Sequence, residues 1–117
     1  MIERHWKGLA IFDEAENYEH HLKTETFVTL ASIPGFISAQ ILKRTQTEGV
    51  EFLIITVWES IEVIKQFAGE NIDVAVVPAK VRAMMISFDK TATHYEVVKA
   101  GMKNPLCCLA KGDFFEC

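Results

Sequence analysis

Between Glu51 and Ser60 the chain reads Glu-Phe-Leu-Ile-Ile-Thr-Val-Trp-Glu-Ser. In an extended strand Phe52, Ile54, Thr56 and Trp58 point one way and Leu53, Ile55 and Val57 the other, because strand side chains alternate between faces. Both faces are apolar, which predicts a strand that is either central and covered twice or part of a parallel sheet. Arg4 to Phe12 reads as a first strand, with Leu9 and Ile11 on one face and Arg4, Trp6, Gly8, Ala10 and Phe12 on the other. Asp13 followed by Glu16 resembles a capping box, and Ala15, Tyr18 and Leu22 give the helical stripe behind it. Two β-branched threonines, Thr24 and Thr26, predict an interruption before the helix resumes over Phe27 to Ser32 and stops at Pro34-Gly35.

Phe36 to Arg44 is a second strand, with Ile37, Ala39 and Ile41 on one side and Ser38, Gln40 and Leu42 on the other. Thr45 to Val50 then turns back into the central strand as a hairpin. Ser60 is placed to cap a helix carrying Ile61, Ile64, Phe67 and Ala68 on one face, and Gly69 suits its end. Pro78 opens a further short helix in which Val81, Met84, Met85 and Phe88 form an apolar packing stripe. Thr91 to Val98 is the last strand.

Strand, helix, strand, strand, helix, strand is the split β-α-β order of an α+β, ferredoxin-like sandwich with a four-stranded antiparallel sheet. Its first and third strands form the central pair. The aliphatic sets Leu9 and Ile11, Ile37 to Ile41, Leu53 to Val57, and Tyr95 and Val97 are predicted to meet the helices. Arg4, Trp6, Gln40, Ile54, Thr56, Trp58, His94 and Glu96 are then left on a face without cover in its own chain. Each indole there would remove about 200 Å² from water, worth at most about 5 kcal/mol. A homodimer with facing sheets and a ligand cavity between them is the expected solution.

Composition narrows the function. The 117 residues suit one domain, and 12 basic against 16 acidic residues, intermixed to a net charge of -4, leave no basic stripe for nucleic acid. The apolar runs fall short of the roughly 20 residues of a membrane helix, and Met1-Ile2-Glu3-Arg4 does not open a signal peptide. A cytoplasmic protein with no membrane partner is expected. Cys107, Cys108 and Cys117 crowd the last eleven residues, which argues for free thiols rather than a disulfide framework.

At Trp58-Glu59-Ser60 before a helix through Ile61, Ile64 and Phe67, and at His94-Tyr95-Glu96-Val97, the chain resembles the antibiotic biosynthesis monooxygenase-like family of the dimeric α+β barrel superfamily. Trp6, Gly8 and Pro34-Gly35 agree with it. The likeness runs over about residues 1–98 and leaves 99–117 as a C-terminal extension without counterpart. It implies a homodimer with a pocket in each subunit between sheet and helices. It also implies one of several activities: oxidation of aromatic or polyketide-like substrates by O₂ without metal or flavin, haem degradation, or none yet assigned. Trp58 matches the aromatic that closes the pocket in oxidising members. The haem-degrading branch needs a histidine on the helix after that tryptophan, and Ser60 to Val77 contains none, which disfavours haem degradation.

His94 is the candidate acid-base residue, able to take a proton from a phenol or activated carbon, or to pair with Glu96 in a purely structural role. Trp6 and Trp58 either clamp a flat ligand or fill the dimer core. Arg4 binds a ligand carboxylate or pairs with Glu96, and Thr56 and Gln40 supply orienting hydrogen bonds or satisfy nearby backbone. His20 and His21, about 100° apart on a helix, read as solvated surface residues unable to share a metal. No metal site, cofactor loop or serine or cysteine nucleophile is legible. Two functions follow: a cofactor-independent monooxygenase, or a non-catalytic homodimeric module that binds a small apolar or aromatic molecule.

Overall fold

The computed structural model describes residues 1–101, so the extension beyond them and its three cysteines lie outside the described residues. Strand β1 (Ile2–Ala10) runs antiparallel to β3 (Val50–Trp58) over its full length, from Ile2 opposite Trp58 to Ala10 opposite Val50. Strand β2 (Phe36–Thr45) flanks β3. Along the other edge of β1 lie two short strands, β4 (Met85–Phe88) beside Gly8–Ala10 and β5 (Thr93–Glu96) beside Ile2–His5. The order β2-β3-β1-β4 is that of a ferredoxin-like α+β sheet, with the first and third strands central as expected. No helix among the described residues is long and apolar enough to cross a membrane.

The helix expected over Val81 to Phe88 is corrected. Only the single turn α4 (Ala79–Arg82) is helical, and Met85–Phe88 is strand. A short apolar run satisfies both helical and strand patterns. Here the edge of β1 decides, because β5 reaches only as far as His5 and the Gly8–Ala10 backbone still needs partners. Together β4 and β5 act as one interrupted outer strand.

The first helical layer is continuous from α1 (Ala15–His21) through a π-helical segment (Leu22–Thr26) into α2 (Phe27–Ala31). The expected break is therefore a widening. Thr24 donates to the His20 carbonyl at 2.7 Å and Thr29 to that of Glu25 at 3.0 Å, the kind of back-bonding that distorts a helix without ending it. Asp13 makes no cap; a 3₁₀ turn over Phe12–Glu14 leads into the helix instead. At the far end Gly35 has a φ of 95°, and a Cβ there would lie 2.6 Å from Val63. Ser60 does cap α3 (Ile61–Ala68), accepting from the Val63 amide at 3.4 Å.

The assignment of sheet faces is also corrected. Along β3 burial alternates strictly, and Phe52, Ile54, Thr56 and Trp58 are the buried set. The helices cover the face of Arg4, Trp6 and these residues, while Leu53, Ile55 and Val57 lie half-buried on the open face. Aromatic volume explains the choice. Tyr18 of α1 meets Phe52 edge-on at 4.9 Å, and Trp58 sits between Phe36 and Phe67 with ring centroids 5.2 and 5.9 Å away. These large rings fill the depth between helix and sheet better than the aliphatic set could. A bulge between Phe36 and Ser38 shifts β2 by one, pairing Ala39 with Thr56 and Ile41 with Ile54. Gln40, opposite Ile55, consequently moves to the open face.

Candidate functional site

Between the sheet and its helices lies a cavity of about 80 Å³, most of its wall apolar. That volume has room for several water-sized bodies or a small planar ligand. The sheet contributes Arg4, Trp6, Ile54 and Thr56 as its floor. Tyr18, His21, Leu22, Thr26 and Leu30 form the helical wall, and Phe67 of α3 with Val76, Pro78 and Val81 closes the remaining side. The cavity sits inside one chain, so the expected location between two facing sheets is corrected together with the faces.

Arg4 is its electrostatic centre. The side chain is only 5% exposed, yet no carboxylate hydrogen-bonds it among the described residues. One terminal nitrogen donates to the Ile72 carbonyl and lies 2.7 Å from His94 Nε2, and the other donates to the Val74 carbonyl at 3.3 Å. A guanidinium has five N–H groups, so Nε and one terminal hydrogen remain for a further acceptor. Burial pulls the Arg4 pKa down from its ordinary value, and Asp73 opposes that in part. Phe67 presents its ring 5.9 Å from the guanidinium carbon.

His94 stands beside Arg4 and is not part of the cavity wall. Since a guanidinium can only donate, Nε2 accepts and the ring proton sits on Nδ1, 3.3 Å from Asp73 Oδ1 and poorly aligned for a hydrogen bond. Burial first, and the neighbouring Arg4 charge second, push the imidazole pKa below its usual value. His94 is thus a neutral acceptor that fixes Arg4, and neither ring nitrogen is open for the ligand-directed proton transfer expected of it.

The other expected residues separate by position. Trp6 reaches the cavity and is tied down by donation to the Asp89 carbonyl at 2.7 Å. Thr56 lines it, accepting from Trp58 Nε1 at 2.8 Å, which leaves its own hydroxyl hydrogen for a ligand. Trp58 is fully buried behind Thr56, where it backs the wall without forming it. Gln40 is on the open face, and Glu96, opposite Ile2, is exposed at the outer edge.

Sequence reasoning missed Tyr18 and His21 as cavity residues. Burial raises the Tyr18 pKa, so its hydroxyl stays neutral. His21, expected in solvent, is buried, and its Nδ1 lies 3.0 Å from Glu25 Oε2. The signal was present: position 21 follows Tyr18 by three on the apolar stripe, and Glu25 follows by four.

The described residues thus form a ferredoxin-like α+β sandwich with an intrachain cavity between the antiparallel sheet and its helices and the Arg4 guanidinium in the cavity wall. The family model for antibiotic biosynthesis monooxygenases matches residues 12–71, and the chain belongs to that family. Among curated protein sequences nothing matches. Solved structures agree in fold. A Bacillus cereus structure bearing the family's name is 16% identical, with 89% of this chain and 97% of that one covered and a TM-score of 0.62. SnoaB, a cofactor-independent oxygenase from Streptomyces nogalater, is 14% identical over 85% and 94% at a TM-score of 0.60. The haem-degrader MhuD from Mycobacterium tuberculosis, solved with two haems in its active site, is 17% identical over 86% and 99% at 0.57.

Proposed function

We propose that this protein is an oxygenase that binds a small aromatic or conjugated molecule in the Arg4 cavity and oxidises it with O₂. The observation that carries the reading is a buried guanidinium with spare donors in an otherwise apolar pocket. Burying a charge costs several kcal/mol unless a partner answers it. An anionic oxygen on the ligand, a phenolate, enolate or carboxylate, is the complement the wall itself lacks. Trp6 and Leu22 offer apolar surface to the ring, and Thr56 donates to a second oxygen.

The chemistry such a site supports begins with loss of a proton from a phenol or an activated methylene. Arg4 stabilises the resulting anion where its charge develops. The anion passes one electron to O₂, and the two radicals combine at carbon. Loss of water then leaves a carbonyl, so CH₂ and O₂ become C=O and H₂O. SnoaB, named as a cofactor-independent oxygenase on the same fold, supports this reading. The absence of histidine from Ser60 to Val77 argues against the haem-degrading alternative.

The open face carries an apolar stripe of Leu42, Leu53, Ile55 and Val57, bordered by Glu3, His5 and Lys7 of β1 and by Ser38 and Gln40 of β2, with Tyr95 beyond Glu3. An apolar centre with a polar rim suits a contact between chains. A second copy of the chain covers it, giving a homodimer that pairs through the face opposite the cavity. Each subunit then keeps its own pocket.

Oxygen uptake with hydroxyanthrones and quinols tests the proposal. Consumption above the spontaneous rate, one O₂ per substrate, with one oxygen atom in the product, is expected. Binding of the same compounds without added uptake would assign the cavity to a non-catalytic carrier instead.

A further inference from the structure

The geometry points to a proton acceptor in this pocket that sits on the helices rather than on the sheet: we propose that His21, oriented by Glu25 and Lys80, is the general base. The inference rests on the small-molecule reading of the cavity and names the group that ionises its ligand.

His21 closes α1 and its ring forms part of the cavity wall, with the side chain 10% exposed. Its Nδ1 meets Glu25 Oε2 at 3.0 Å, and Lys80 Nζ meets the same oxygen at 2.8 Å. Lys80 belongs to α4, whose Val81 lines the cavity, so the carboxylate ties two walls of the pocket together. Those two contacts, Lys80 first, hold Glu25 below the usual carboxylate range and keep it ionised. An ionised carboxylate only accepts, which places the imidazole proton on Nδ1 and leaves the lone pair on Nε2. Nε2 has no hydrogen-bond partner among the described residues and is not sealed from space. This is a base oriented by a third group, the arrangement that proton abstraction requires.

The backbone is unusual at this point. The π-helical segment Leu22–Thr26 starts immediately after His21 and carries Glu25 within it. A π turn resets the rotation of the residues on either side of it, and such turns recur at functional sites. His21 therefore takes the ligand's proton: the O–H or C–H bond breaks, an Nε2–H bond forms, Glu25 stabilises the imidazolium, and Arg4 holds the anion.

The test uses 4-nitrophenol, which ionises visibly and requires no oxidation, with the full-length protein. At a pH below the probe's free midpoint, the bound probe is expected to show the phenolate band while the His21 Nε2 nitrogen resonance moves to the protonated position. His21→Gln should lower the phenolate fraction by about tenfold, the equivalent of about one pKa unit of lost proton affinity in the pocket, and weaken binding only by the share that the ionised form contributed. Glu25→Gln, an exposed substitution, should produce a smaller loss in the same direction, and His20→Gln none. Equal phenolate in wild type and His21→Gln, or a probe that binds but stays neutral, overturns the base while leaving the pocket. Absence of probe binding overturns both.

Discussion

Replacing Arg4 by methionine keeps most of the side-chain volume and removes the charge. For stability two large effects oppose each other. Three contacts, to the Ile72 and Val74 carbonyls and to His94 Nε2, are lost, and charge-assisted bonds contribute about 1.5–3 kcal/mol each. Against this, the desolvation penalty of a buried cation, also several kcal/mol, disappears. The net change in folding free energy is expected to be destabilising, because methionine leaves the two carbonyls and His94 Nε2 without a donor, at about 1–3 kcal/mol for each that water does not reach. The folded state of Arg4→Met is checked by thermal denaturation before binding is measured. Binding has no such offset. A carboxylate that loses one charged hydrogen-bonding partner gives up about 1.5–3 kcal/mol, which is about 10- to 150-fold in Kd. Calorimetry with 2-naphthoate and the uncharged 2-naphthalenemethanol separates charge recognition from ring binding. Arg4→Met should lose affinity for the first by that factor and hold the second within about threefold. Equal losses for both ligands would refute anion recognition by Arg4 and reduce the residue to a packing element.

Three further outcomes follow from the same geometry. Ile55→Lys places a cation in the centre of the open face and should convert a dimer into a folded monomer in sedimentation; an unchanged mass would place the interface elsewhere. Ser60→Ala removes the cap on the Val63 amide and should cost about 1 kcal/mol in chemical denaturation. His94 has its pKa lowered in the folded state, so below the ordinary histidine midpoint the unfolded chain binds the extra proton first. Stability should therefore be full above that midpoint and fall as pH drops toward the lowered folded value, and His94→Gln should flatten this slope.

The architecture was readable from the sequence because its strongest signals are local. Trp58-Glu59-Ser60 ends a strand and caps a helix in three residues, and the strand order follows from such punctuation. Which face of the sheet is buried was not readable, because β3 is apolar on both sides and periodicity alone cannot choose between Phe52–Trp58 and Leu53–Val57. The choice depends on which rings fit beneath Tyr18 and Phe67, and that is a tertiary fact. The bulge after Phe36 compounds it by moving Gln40 across the sheet. Arg4, Trp6 and Thr56 were picked out by sharing a face, and they do meet in the cavity. His21 escaped because adjacent histidines on a helix look solvated, and only the packed π-helical layer turns one of them inward.

A crystal structure with 2-naphthoate bound tests the central claim most directly. The carboxylate should lie within hydrogen-bonding distance of the Arg4 guanidinium and the ring between Trp6 and Leu22, on the helix side of the sheet. A ligand lodged on the open face among Leu53, Ile55 and Tyr95 would contradict it.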